Sequence, residues 1–387
     1  MNQAGSQRIL EVQDPVIPIV GEWTRDNPGT LSLGQGVVSW EPPNAVYDGL
    51  TTFRATPDNH KYKLVQGIPE LLDAIQTKLA TDNRINLNAQ ERVVVTAGAN
   101  MGFMNAVFAI TDPGDEIIIP VPYYFNHEMA IRIAGCKPVA VPTDANHQPD
   151  PDQLAAAITT KTRAIVTISP NNPSGAVYPG STLRAINSLC EKHGIYHIAD
   201  EAYEYFTYED AQHFSPNSIP GADNHTIGLY SLSKTYGFAS WRIGYMVIPP
   251  QLLHSVKKIQ DTNLICPPVI SQYAATAAIQ QGLPSIQHHL ISLSQVREDC
   301  LQQLQDLGDK ATFAPALGAF YFLLKVDTNL PAIDLVRYLI EHHKVATMPG
   351  STFGLEDACF LRISYGALSQ DSVMEGIGRL VEGIHAL

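Results

Sequence analysis

Three things are scarce in this sequence. Cysteine occurs five times in 387 residues, at Cys136, Cys190, Cys266, Cys300 and Cys359, and never as C-x-x-C. That spacing offers neither a disulfide framework nor a thiolate metal site, so reduced, buried thiols are expected. Positive charge is short as well: 25 Lys and Arg stand against 38 Asp and Glu, a formal net charge of −13. With no basic cluster this argues against a nucleic-acid surface, and any site for acidic substrates has to be local. Long apolar runs are missing too. No stretch reaches membrane-spanning length, and the opening MNQAGSQRILEVQDP has no basic segment followed by an apolar one. The expectation is a soluble, cytoplasmic protein without membrane partners.

What is present is core-forming material. The chain is 45% hydrophobic and only 16% charged, which suits one large or two moderate globular domains. Short apolar, β-branched runs alternate with helical patterns. Strands are predicted at 92–96, 116–119, 138–141, 163–168, 196–199, 226–229 and 243–248, with helices at 100–110, 124–134, 151–158 and 182–193. Near-continuous hydrophobicity fits strands covered on both faces. The βαβ alternation predicts an α/β fold with a mostly parallel, seven-stranded sheet. After Pro267-Pro268 a long helical region runs to Leu307, broken at Gly282-Leu-Pro284. Strands at 319–326, 346–348 and 361–365 and helices at 332–343 and 376–387 then suggest a smaller α+β domain. The expected division is a large domain at 42–282 and a small one from 1–41 and 283–387, the former being an N-terminal arm.

The segment Ser231-Leu-Ser-Lys234-Thr-Tyr-Gly-Phe-Ala-Ser-Trp-Arg242 carries the chemistry. A lysine becomes nucleophilic when burial and a neighbouring cation lower its pKa, and Arg242 can supply that cation. Arg242, Ser231 and Ser233 can also hold a phosphate. Lysine, aldehyde and phosphate together describe pyridoxal 5'-phosphate, PLP. Asp200 ends the predicted strand 196–199, the edge at which open α/β sheets bind ligands. Its carboxylate could keep a pyridine nitrogen protonated, although an Asp there also caps helices. Tyr203 and Asn172 could reach a ring oxygen, while Asn171-Asn-Pro-Ser-Gly175 also reads as a turn. Thr96-Ala-Gly98-Ala99-Asn100 places small residues at a helix N-terminus, where anions are favoured. Tyr124 could stack on a planar ring. Arg362, in an otherwise apolar strand, could grip a carboxylate bidentately or complete an internal ion pair.

These motifs together, from Gly34 to Arg362, resemble the class I aminotransferases of PLP fold type I. The resemblance implies that Lys234 carries the cofactor and shuttles a proton, that Asp200 partners the pyridine nitrogen, and that Asn172 and Tyr203 meet the ring oxygen. It implies Tyr124 as the stacking ring, and Gly98, Ala99, Asn100, Ser231 and Arg242 as the phosphate site. Arg362 and the Gly36 backbone would bind the substrate carboxylate. Tyr62-Lys-Leu-Val-Gln-Gly67 is similar to a family motif whose tyrosine reaches the neighbouring subunit's phosphate, which implies a homodimer with shared sites. Leu72, Val37 and Val38 depart from the usual pattern. The segments around Gly34, Gly98 and Tyr124 look like those of plant aromatic aminotransferases that use methionine as donor, and Asn100 stands where the aspartate-type branch often has lysine. This implies transfer from an aromatic amino acid or methionine to a 2-oxo acid by a ping-pong route, with Ile17 and Pro18 as candidate pocket walls.

Alternatives within the family are aspartate-, kynurenine- or glutamine-type transfer, or a C–S β-lyase. A PLP-sensing regulator would need a DNA-binding domain, and only about thirty residues precede Gly34. No G-x-G-x-x-G supports a nicotinamide enzyme. The pairs His288-His289 and His342-His343 lack metal-ligand spacing, so no metal is expected.

Overall fold

The computed structural model describes residues 5–87 and 92–387. Seven strands form one sheet in the order Val93–Thr96, Gly244–Val247, Thr226–Ser231, Tyr196–Asp200, Thr162–Ile168, Glu116–Val121 and Lys137–Pro142. All neighbouring pairs are parallel except those of Gly244–Val247, which runs antiparallel to both neighbours. The predicted mostly parallel, seven-stranded α/β sheet is therefore present, with all seven strands expected of the large domain in it. Val93–Thr96, Thr226–Ser231 and Gly244–Val247 are buried along their whole length. They have to be, because the apolar side chains of both sheet faces enter separate core clusters.

Helices Ala99–Ile110, Phe125–Ile133, Pro151–Ala156 and Gly180–His193 are the expected crossovers. The break after Pro267-Pro268 falls as read, between Val269–Gln281 and Gln287–Leu304, with a short 3-10 turn at Leu283–Ser285. The last helix, Gln370–His385, begins six residues ahead of its expected start at 376, and the Ser369 hydroxyl caps it by accepting from the Ser372 N–H. Among the described residues, four helices longer than a single turn went unread: Val16–Asp26, Ala45–Ala55, Pro69–Asp82 and Leu253–Asn263.

A second, four-stranded sheet has the order Met348–Pro349, Phe360–Ser364, Tyr321–Val326, Ala311–Phe313, all antiparallel. Leu31–Ser32 pairs in parallel with Val345–Ala346. Val16, Val20 and Leu33 share one core with Leu293 to Ile384, and that core also takes in Phe125, Tyr203 and Phe206 from the edge of the large sheet. The two sheets are thus joined by packed aromatic side chains where the parallel strands end. All five cysteines are free and buried. Among the described residues no helix is long and apolar enough to cross a membrane.

Candidate active site

Parallel strands deliver their following loops to one edge of a sheet, and that is where a cavity of about 350 Å³ lies. Its lining includes Gly36, Ala99, Asn100, Tyr124, Asn172, Asp200, Tyr203, Ser231, Lys234, Arg242 and Arg362. Segments up to about 330 residues apart in sequence meet here: Arg362 donates from Nη2 to the Gly34 carbonyl at 2.6 Å and from Nη1 to Asn172 Oδ1 at 2.9 Å. Two sequence-predicted residues stand apart. Gly98 lies just outside the lining, as the residue preceding helix Ala99–Ile110. Tyr62 is 77% exposed on the surface of its own chain.

Lys234 sits in the single helical turn Leu232–Thr235, launched by Ser231, whose hydroxyl accepts from the Ser233 N–H. Its ammonium donates to the Gly36 carbonyl. Burial first, then the charges of Arg362 and Arg242, lower its pKa from 10.5 to about 8, with Asp200 pulling the other way. The sequence pointed to Arg242 as the depressing cation; the structure adds Arg362 and ranks it ahead. At about 8 a substantial share of the amine is neutral near physiological pH, as a nucleophile or base must be.

Asp200, 5% exposed, is fixed from two sides. Its Oδ1 accepts from the Ala202 N–H at 3.0 Å, and its Oδ2 lies 3.0 Å from His127 Nε2. The adjoining Glu201 anchors the segment, taking hydrogen bonds from the Tyr230 hydroxyl at 2.8 Å and pairing with His213 Nε2 at 2.7 Å. His127 escaped the sequence reading. Its one signal was its place three residues after Tyr124, on the same side of the first turn of Phe125–Ile133. Its ring stacks on Phe103 at 3.9 Å and meets the Tyr124 ring edge-on at 5.3 Å. Ser233, read with Ser231 as a phosphate holder, lines the cavity as well, and Tyr321 does so unforeseen. Only the fold brings Tyr321 near, so no local pattern could have found it.

The residues present fit PLP, and two observations decide it. Gly98 has φ +81°, and a Cβ there would fall 2.3 Å from Arg242 Nη2. Only glycine suits that backbone and lets the guanidinium come this close. Arg242 is held there by the Ala239 and Ala97 carbonyls at 2.9 and 3.3 Å. With Ser231, Ser233 and the N-terminus of Ala99–Ile110, this concentrates groups that favour an anion. Secondly, Nε of the buried Arg362 has no hydrogen-bond partner, which leaves a charged donor for an anion to satisfy. The rings need the opposite. Burial raises the pKa of Tyr124, against the pull of hydrogen bonds from Asn100 and Asn126, and it raises Tyr203 well above 10, helped by Tyr321. Both phenols therefore remain protonated, and Tyr203 has a hydrogen to give. Asn172 Nδ2 stands 3.4 Å from the Tyr203 oxygen.

The family model for aminotransferase class I and II matches residues 28–380. The aromatic aminotransferase ISS1 of Arabidopsis thaliana is 32% identical over 99% of this chain and 96% of its own length. The aspartate/prephenate aminotransferase of Thermus thermophilus is 35% identical over 92% of each. Among solved structures, the Thermus thermophilus aspartate aminotransferase with maleate superposes with a TM-score of 0.91 at 29% identity, covering 98% of this chain and 99% of that one. The aromatic aminotransferase of Pyrococcus horikoshii does so at 0.88, with 29% identity and 95% and 99% coverage. The chain belongs to the class I and II aminotransferases. It is a PLP-dependent transaminase of fold type I, which moves the amino group of an L-amino acid to a 2-oxo acid.

The lowered pKa of Lys234 gives a direct test on the cofactor-free protein. A lysine with a depressed pKa is neutral above about 8 and charged below it. Modification of Lys234 by an amine-specific reagent, followed by peptide mapping, should level off above roughly pH 9, whereas a solvated lysine keeps gaining reactivity past pH 10. Arg362→Met should move the midpoint upward by removing the cation that lowers the lysine most. A Lys234 midpoint near 10.5 contradicts the assignment.

Proposed function

We propose that the enzyme prefers large uncharged amino donors, aromatic or methionine, and that the residues around the cavity act as follows. Bound PLP supplies an electrophilic carbon and a ring that withdraws electrons from the substrate α-carbon. Arg242, Ser231, Ser233 and the Ala99 and Asn100 backbone hold its phosphate. Asp200, oriented by His127, keeps the ring nitrogen protonated, and Asn172 and Tyr203 donate to the ring oxygen. Tyr124 covers one ring face. Arg362 binds the substrate carboxylate through its planar fork, with Gly36 beside it. Lys234 carries the cofactor. With PLP bound, the neutral Nζ of Lys234 would be the base placed to take the substrate's α-proton and hand it on over a short distance. Two such halves, with amino acid and then 2-oxo acid, make a ping-pong cycle.

The polypeptide is read as a large cofactor-binding domain at 42–282 and a small domain from 1–41 and 283–387, of which residues 1–4 lie outside those described. In support, the seven-stranded sheet draws only on the first span, while the core from Val16 to Ile384 takes just Phe125, Ala202, Tyr203 and Phe206 from it as buried members. The protein is further read as a cytoplasmic homodimer. The five free buried thiols suit a reducing compartment, and cell fractionation checks this. Tyr62 and Leu64, 77% and 62% exposed, are large side chains in search of a cover. A partner subunit would cover them and would place its Tyr62 at this phosphate site. Mixing inactive Tyr62→Ala and Lys234→Ala proteins should then restore part of the activity through hybrid sites, provided subunits exchange. A fully active monomer in sedimentation rules this out.

One observation carries the substrate preference. Among the described residues the cavity's cations are Lys234, Arg242 and Arg362, and each already has a task. No cation remains for a second carboxylate, and an unpaired buried carboxylate is costly. The rest of the wall offers Ile17, Val37, Phe125 and Tyr321, with the Asn100 amide turned to the Tyr124 hydroxyl. Pro18 takes no part in the lining. Comparison of kcat/KM for phenylalanine, tryptophan, methionine, glutamine, kynurenine and aspartate against one acceptor should put an aromatic donor or methionine first, by about tenfold or more over aspartate, which is about 1.4 kcal/mol of transition-state binding. Aspartate leading by that margin overturns the reading.

A further inference from the structure

Tyr321 belongs to no motif that marked the site, yet its contacts run to three residues that have been given tasks there. Its hydroxyl oxygen lies 2.6 Å from that of Tyr203. The Arg362 guanidinium carbon stands 4.7 Å from the centre of its ring. A Cβ on Gly36 would fall 2.5 Å from its hydroxyl oxygen, so the space that the phenol fills exists only because residue 36 has no side chain. Strand register explains the pairing with Arg362. Tyr321 lies opposite Ser364 and Leu323 opposite Arg362, so Tyr321 and Arg362 are diagonal neighbours on one face of the antiparallel pair Tyr321–Val326 and Phe360–Ser364.

We propose that Tyr321 is a positioning residue: its hydroxyl donates to Tyr203 and so turns the Tyr203 hydrogen toward the cofactor's ring oxygen, while its ring holds the Arg362 guanidinium ready for the substrate carboxylate. This rests on the placing of Tyr203 at the ring oxygen under the proposed function. The argument is one of counting hydrogens. A phenol has one hydrogen to donate. If Tyr203 gave its hydrogen to Tyr321, none would be left for the cofactor. The Tyr321 hydroxyl is buried, and Tyr203 is the side chain that it bonds. Donation from Tyr321 to Tyr203 satisfies both. The cation over the Tyr321 ring favours the same direction, since a nearby positive charge makes a phenol the better donor. A hydroxyl that accepts a hydrogen bond also donates a stronger one. Gly36, Tyr203 and Arg362, drawn from three distant parts of the chain, are thereby tied to one side chain.

The test compares holoenzymes of wild type, Tyr321→Phe, Tyr321→Leu and Tyr203→Phe. Two quantities are read: the pH midpoint of the bound cofactor's visible absorbance change, and the affinity for 3-phenylpropionate, which offers a carboxylate but no amine. A weaker bond to the ring oxygen stabilises its anionic form less, so the midpoint moves up. Tyr321→Phe keeps the ring and should raise the midpoint by roughly 0.2–0.6 pH unit with little change in carboxylate affinity. Tyr321→Leu should raise the midpoint similarly and also weaken 3-phenylpropionate binding about threefold, the order of a lost cation–π contact. Tyr203→Phe should move the midpoint furthest. A shifted Tyr203→Phe beside a Tyr321→Phe within about 0.1 unit of wild type overturns the hydrogen-bond half of the proposal. Wild-type affinity in Tyr321→Leu overturns the guanidinium half. An unshifted Tyr203→Phe contradicts the placing of Tyr203 itself, and the proposal with it.

Discussion

The site is built on an imbalance of charge. Among the described residues three cations, Lys234, Arg242 and Arg362, share one cavity with a single carboxylate, Asp200, in a chain whose net charge is −13. Like charges held together in a partly dehydrated space either attract anions or give up a proton, and here both outcomes have use. The two guanidiniums offer planar forks to anions, which the proposed function takes to be a phosphate and a carboxylate. Lys234 can give up a proton, and a fall from 10.5 to about 8 is roughly 3 kcal/mol of bias toward its neutral form. The opposing pull of Asp200 on the lysine is part of the same balance, since that carboxylate is itself committed to His127 and to the Ala202 N–H.

The fold's part is to bring these groups together and hold them. Asp200 and Ser231 end adjacent parallel strands, and Gly98 opens the helix that follows a third. Arg362 arrives from the other sheet and is tied across by the Gly34 carbonyl and Asn172. Two rigid layers therefore meet over one ligand site, and the aromatic side chains of their common core set the spacing between them.

Most of the large sheet was legible because its strands are buried on both faces and therefore read as unbroken apolar runs, as at Val93–Thr96 and Thr226–Ser231. The residues gathered from motifs were legible for a different reason: Asp200 and Ser231 are polar groups at strand ends, Lys234 follows one, and Arg362 is a charge inside an apolar strand. The unread parts obey tertiary logic. Val16–Asp26 contains Pro18, which reads as a breaker, but in the first turn of a helix the missing N–H has no partner to lose. Ala45–Ala55 contains Gly49, a poor helix former, which is used because a Cβ there would fall 2.5 Å from the Tyr273 carbonyl of the helix packed against it. The early start of Gln370–His385 was hidden by Gly376, whose lack of a side chain admits Leu33. Tyr321 and His127 are ordinary residues in ordinary elements, and nothing but the folded arrangement makes them neighbours of the site. Tyr62 is the converse: its motif stood out, while one chain leaves it on the surface.

The central claim is that Lys234, kept partly neutral among cations, is the residue that carries the cofactor. Borohydride reduction of the yellow holoenzyme followed by peptide mapping tests it most directly. The account predicts one reduced adduct, on the peptide containing Lys234, and none in Lys234→Ala. Attachment to any other lysine, or an undiminished adduct in that variant, would contradict it.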